Sequence, residues 1–132
     1  EQNKVEFPLG WNKNEAGQWW YADTPKSYIA GRWAMIDSRW YVFDQKGYLI
    51  KGWFKQESDW YYLNSEDGAM LSSQWIEVDG KSYYLQSSGL VARNAYVKSE
   101  DKNIYYWVDG DGVYQKEFDA ESPDLSKYEI VE

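Results

Sequence analysis

The 132-residue chain contains no cysteine and no histidine. Nucleophile–imidazole catalytic arrangements therefore cannot be built, nor can Cys or His metal sites. No disulfide contributes to its stability. Basic residues are in deficit, with 14 Lys and Arg against 22 Asp and Glu and a formal charge of −8. Such a surface repels a phosphate backbone, which argues against nucleic acid as a partner. No apolar run approaches the ~20 residues of a membrane span. Residues 1–10 show no signal-peptide pattern, so the chain reads as a mature fragment of something longer. What it has in excess is aromatic: Trp 9 and Tyr 13, in a chain that is 27% charged. Trp and Tyr join an apolar face to a polar handle, which suits half-buried positions and ligand platforms.

The rings recur. "GWFKQESDWYYLNSEDGAM" carries Trp53, Trp60, Tyr61 and Tyr62. Before it stand "GRWAMIDSRWYVFDQKGYL" and "GWNKNEAGQWWYADTPKSYI"; after it come "QWIEVDGKSYYLQSSGLV" and "AYVKSEDKNIYYWVDGDGV". The leading aromatics fall at 11, 33, 53, 75 and 96, and a second aromatic block follows each. This organises the chain as a lead-in (1–9), five repeats (about 10–31, 32–51, 52–73, 74–94 and 95–118) and an acidic tail (119–132).

Each copy reads as a short β-hairpin. "WYYL" and "YYL" are strand-like, and "IDSR" or "EVDGK" supplies the turn between the blocks. A second turn follows, as in "DQKG", "NSEDG", "QSSG" and "DGDG". One hairpin is marginal in water, so stability requires stacked copies that share their rings. The expected fold is all-β, a solenoid of stacked short hairpins. Alternation along a strand sends Trp60 and Tyr62 one way and Tyr61 and Leu63 the other. Tyr62, Tyr84, Tyr106 and Leu63 are expected to face the core, and Trp20 and Trp107 to pack. Two Trp of one hairpin and a Tyr of the next then form a half-open box. That arrangement suits a quaternary ammonium, which has no N–H and is selected by π faces and charge.

The pattern "GWxxxxxxWYYLxxxxGAM" resembles the choline-binding (cell-wall-binding) repeat of pneumococcal-type surface proteins, over about residues 10–118. The stretch "NAYVKSEDKNIYYWVDGDGVYQKEF" is similar to the last repeat and tail of the family's amidase autolysins. The resemblance implies choline held between two Trp of one repeat and a Tyr of the next, closed by Met or another apolar residue. By position this gives Trp11, Trp19 and Tyr41, closed by about Ile29. It gives next Trp33, Trp40 and Tyr61 with Leu49, and then Trp53, Trp60 and Tyr83 with Met70. At the fourth junction Ser82 stands in a Trp place, leaving Trp75 and Tyr105 as a weak or lost site. The fifth copy, with Tyr96 and Ile104, reads as a cap. A few cation–π contacts give about millimolar affinity per site, so attachment requires several sites on a polymer bearing many cholines.

The resemblance implies a non-catalytic module that anchors a larger surface protein, with any enzymatic activity lying in the missing N-terminal part. The anchor point is the phosphocholine of teichoic acids on an extracellular bacterial wall. No cofactor and no metal is expected: Asp79, Asp109 and Asp111 read as turn residues, and no carboxylate pair faces another across a cleft. Two alternatives stay open, a glucan-type carbohydrate-binding repeat and a host-protein-binding adhesin. The tail 119–132 is either solvated or a capping or homodimerising element, with Phe118, Leu125, Tyr128 and Ile130 as candidate contacts.

Overall fold

The computed structural model describes residues 6–131; Glu132 and residues 1–5 of the lead-in lie outside them. The architecture is all-β, a succession of short hairpins, with no α-helix among the described residues. β1 (Gly10–Lys13) pairs antiparallel with β2 (Trp19–Thr24), which also pairs with β3 (Ser27–Tyr28). β4 (Trp33–Ile36) pairs with β5 (Arg39–Val42). β6 (Gly52–Gln56) and β7 (Asp59–Leu63) follow, then the pair β8 (Gln74–Val78) and β9 (Lys81–Leu85). β10 (Ala95–Lys98) pairs antiparallel with β11 (Tyr105–Val108) and parallel with β12 (Glu129–Val131), after a 3₁₀ turn at Lys116–Phe118.

Turn chemistry explains why these segments are hairpins. Asp37 and Ser38 have φ of 52° and 67°, and Asp79 and Gly80 have 53° and 78°. Positive φ at both central residues is the two-residue turn whose twist matches that of the flanking strands. The second turns are held by side chains. Asp44 Oδ1 accepts from the N–H groups of Lys46 and Tyr48, Asn64 Oδ1 from Glu66, and Asp109 Oδ1 from Asp111 and Val113. "DGDG" is thus an Asx turn.

The chain divides into two compact units, Glu1–Phe54 with Leu63–Met70, and Lys55–Tyr62 with Leu71–Glu132. In the first, Ile29, Ala34, Ile36, Tyr41, Phe43 and Ala69 are buried together, with Trp11, Tyr21 and Leu49 against them. In the second, Tyr84, Ala92, Ala95, Val97, Val108 and Val131 form the core, flanked by Tyr114. The strand registers show one repeated position as the deepest. It holds Ala22, Phe43 and Leu63 in the first unit and Leu85 and Val108 in the second, all buried. Burying such an aliphatic or aromatic side chain contributes about 1.5–3 kcal/mol, so one residue per hairpin anchors each copy. Leu63 and Tyr84 are buried as expected, but Tyr62 and Tyr106 are only half-buried, and the Tyr106 ring meets Trp75.

Candidate functional site

Strand pairing brings the rings together. Trp11 on β1 lies opposite Tyr21 on β2, and Lys13 opposite Trp19. The rings of Trp11 and Trp19 stand edge to face, 6.3 Å between centroids and 83° between planes. Tyr41, from the following hairpin, meets Trp11 at 5.0 Å and 70°. Such pairs add about 0.5–1.5 kcal/mol beyond their buried area, so the walls are held by one another. Trp11, Trp19, Tyr41 and Leu49 surround a cavity of about 310 Å³, and Lys51, Glu66 and Asp67 complete its lining. Lys13 Nζ sits 5.3 Å from the Trp19 ring centroid, so that indole already attracts a cation.

The closing residues are set by one recurrent hydrogen bond. Leu49 N–H donates to the Trp19 carbonyl (2.8 Å), Met70 to Trp40 (2.8 Å), Val91 to Trp60 (2.9 Å) and Tyr114 to Ser82 (2.9 Å). Leu49 therefore goes with Trp11 and Trp19. Ile29, expected there, is in the core, and Tyr28 is its unit's equivalent of Leu49, paired with Ala22 as Leu49 is with Phe43. Met70 goes with Trp40, and Val91 with Trp60. The shift is one repeat along the chain: the closing residue comes after the Tyr wall, which sequence spacing alone does not reveal.

The other expected residues are placed as follows. Trp33 and Trp40 stand on the paired strands β4 and β5 of the first unit; Trp40 is 41% exposed. Trp53 belongs to the first unit, whereas Tyr61, Trp60 and Tyr83 belong to the second. Trp60 is 39% exposed, and Lys55 Nζ lies 5.8 Å from its ring.

At the fourth junction the ring beside Trp75 is Tyr106, at 5.8 Å. Tyr105 pairs with Lys98, the strand position that Trp19 holds opposite Lys13. The longer β10–β11 turn moves the register by one residue. Tyr114 also meets Trp75, at 5.7 Å, and its hydroxyl donates to Asp119 at 2.8 Å. Burial and that bond push the Tyr114 phenol up to about 12. Trp75 is thus packed among Tyr84, Tyr106 and Tyr114. On one side it borders a polar groove of about 920 Å³ reaching the turn Lys98–Asp101. Lys51, Glu66, Asp67, Val91, Tyr106 and Tyr114 are residues that sequence reasoning did not select for a site. The only sequence signal for the closing set is its constant place after the second turn.

Short hairpins whose junctions carry aromatic rings define an aromatic-repeat module. Comparisons narrow that class. The choline-binding repeat matches residues 30–75, and the putative cell wall binding repeat matches residues 73–90. A choline-binding domain from Streptococcus pneumoniae is similar at 35% identity, over 63% of this chain and 92% of that one, with a TM-score of 0.53. CbpJ from the same organism is similar at 27% identity, over 82% of this chain and 36% of that one, with a TM-score of 0.71. Choline binding protein F of S. pneumoniae is 31% identical over 82% of this chain and 33% of its own, with a TM-score of 0.68. The chain belongs to the choline-binding repeat family of cell-wall-binding modules. It spans about a third of the length of CbpJ (36%) and of choline binding protein F (33%). No curated protein matches the sequence.

Proposed function

We propose that this module binds choline without catalysing a reaction, and so attaches a larger surface protein to phosphocholine-decorated teichoic acid of a bacterial wall. The observation that carries the reading is the pocket of Trp11, Trp19, Tyr41 and Leu49. Three rings and an aliphatic side chain offer π faces and apolar contact, which is what a methyl-covered cation can use. The recurrent backbone bond supports Trp40 with Met70 in the first unit, and Trp60 with Val91 in the second, as further positions for the same role. Trp75 fills a packing role, with Tyr114 and Tyr106 against it.

Thermal unfolding followed by Trp fluorescence during a choline titration tests the reading. A ligand of the folded state raises the midpoint, by an amount equivalent to about 2.7 kcal/mol at a hundred times its dissociation constant. Choline is expected to raise it and glucose oligomers are not. No shift at ~100 mM choline overturns the proposal.

A second reading, saccharide binding, is favoured by one observation. The groove beside Trp75 combines ring faces with Ser73, Gln74, Lys98, Glu100 and Asp101, the mixture of stacking and polar groups that a pyranose uses. The small pocket at Trp11 lacks neutral polar side chains, so the methylated cation remains the better fit there.

A further inference from the structure

The pocket at Trp11 has a charged rim, and its pattern recurs. Lys51 lies two residues beyond the closing residue Leu49 and lines the same cavity. The repeated hydrogen bond identifies the equivalents of Leu49 as Met70, Val91 and Tyr114. Two residues beyond these stand Ser72, Arg93 and Lys116. A basic residue therefore follows three of the four closing positions, in a chain with 14 basic residues against 22 acidic ones. Two residues of extended chain bring a side chain back to the same side about 7 Å further on. Because Leu49 is tied to Trp19, the position of Lys51 relative to the box is fixed by backbone and not by chance.

A cation beside a box for a cation is a contradiction if the ligand is a bare ammonium. Lys51 would repel it, and the acidic residues nearby do not cancel the lysine by pairing with it. Glu66 and Asp67 line the same cavity, yet Lys51 makes no ion pair with any described residue. Asp67 is instead held by Arg39 at 2.9 Å. The contradiction disappears if the ligand carries its own anion one short linker away from its ammonium.

We infer that Lys51 pairs with the phosphate of a choline phosphoester whose trimethylammonium lies among Trp11, Trp19, Tyr41 and Leu49, so that this pocket selects phosphorylated choline over free choline. The inference rests on the choline reading above and adds the anion to it. Lys116 repeats the position beside Tyr114. Arg93 repeats it beside Val91, although Asp59 holds it at 3.1 Å and its contribution is smaller.

The test follows the assigned indole N–H signals of Trp11 and Trp19 by NMR in the full chain, which report this pocket alone, while choline or phosphocholine is added at low salt. Phosphocholine is expected to bind about 2- to 5-fold more tightly, the size of one exposed ion pair. The advantage shrinks at high salt, disappears in Lys51→Gln and survives in Lys51→Arg, while choline itself binds Lys51→Gln at least as well as the parent. Equal affinities for the two ligands, or an advantage that persists in Lys51→Gln, overturn the inference and leave the choline reading intact. Failure of both ligands to move either signal overturns the choline reading and the inference with it.

Discussion

The backbone N–H of Leu49 donates to the carbonyl oxygen of Trp19 across 2.8 Å, and three further pairs repeat that bond: Met70 with Trp40, Val91 with Trp60 and Tyr114 with Ser82. The bond joins the residue that closes a ring box to the indole that walls it. It involves only backbone atoms, so it survives where the wall is lost: Ser82 keeps it although it has no ring. The scaffold is therefore the same whether or not a junction keeps its second ring. Predictions can accordingly separate stability from ligand capacity.

Trp60 and Trp75 test that separation. Trp60 is two-fifths exposed, as a wall must be. Trp75 is about as exposed (36%), but its ring meets Tyr84, Tyr106 and Tyr114, and its hairpin carries Ser82 where the second Trp stands in other copies. Trp60→Ala is expected to reduce retention on a choline-mimetic amine resin and to lower the melting midpoint little. Trp75→Ala is expected to lower the melting midpoint, since it removes three ring contacts worth about 0.5–1.5 kcal/mol each, and to leave retention nearly unchanged once the protein is folded. Equal losses of retention would show that the walls are assigned wrongly.

Much of this was legible in the sequence, for a physical reason. Trp and Tyr at fixed spacing mark the strands, and "VDGK" and "DQKG" mark the turns, because those positions need positive φ or an Asx acceptor. The Trp11, Trp19 and Tyr41 grouping came from the family resemblance carried over by position. The closing residues did not follow. Leu49 closes the box of the preceding hairpin, and which neighbour it serves depends on how copies stack, not on local propensity. Tyr105 and Tyr106 exchanged roles because an extended turn, "KSEDKN", absorbs an inserted residue in a place that repeat counting cannot locate. Lys51 was invisible because a lone lysine in a polar stretch has no local signature.

Gly68 is tied to Leu49. It has φ of +78°, and a Cβ there would lie 2.6 Å from Leu49 Cδ2. Gly68→Ala therefore combines backbone strain of about 1–3 kcal/mol with displacement of the closing side chain. It is expected to weaken ligand binding at the Trp11 pocket as well as lower the melting midpoint. A variant with reduced stability and unchanged ligand response at the Trp11 and Trp19 signals would show that Leu49 does not shape the site.

Acid and alkali should act on different units of the chain. The Asp67 carboxyl is held below its usual range by the Ala69 N–H first and by Arg39, against a raising effect of partial burial. A depressed native value means its contribution is complete above the ordinary carboxylate range and fades as pH falls through that range into the depressed native value. Asp67→Asn is expected to flatten the acid limb of the stability profile. Tyr114 has the opposite sign. Its phenol is pushed up to about 12, by burial first and then by Asp119. The stabilisation is complete below the ordinary tyrosine value near ~10 and is lost as pH rises towards the native one. Tyr114→Phe should remove that alkaline slope in equilibrium unfolding. A slope unchanged by the substitution would mean the phenol–carboxylate bond is not formed.

We propose that the acidic tail caps a strand edge. β12 runs parallel to β10, with Ile130 beside Tyr96, and the Tyr128 ring stands 5.6 Å from Tyr96 and 5.2 Å from Trp107. A parallel neighbour needs a long return, which the chain supplies through the 3₁₀ turn at Lys116–Phe118. The role is protective, since the unpaired edge of β10 would offer its backbone to another chain. Removing residues 126–132 should lower the melting midpoint and cause concentration-dependent association, measured by sedimentation. Tyr128→Ala should do so more weakly, because the backbone ladder remains. In the intact chain, Phe118 (54% exposed) and Leu125 (61% exposed) are the apolar groups of this region left for a homodimer. Dimers of the intact protein that persist when both are changed to Ser would place the dimer contact elsewhere, and a truncated chain that stays monomeric and melts normally would refute the cap.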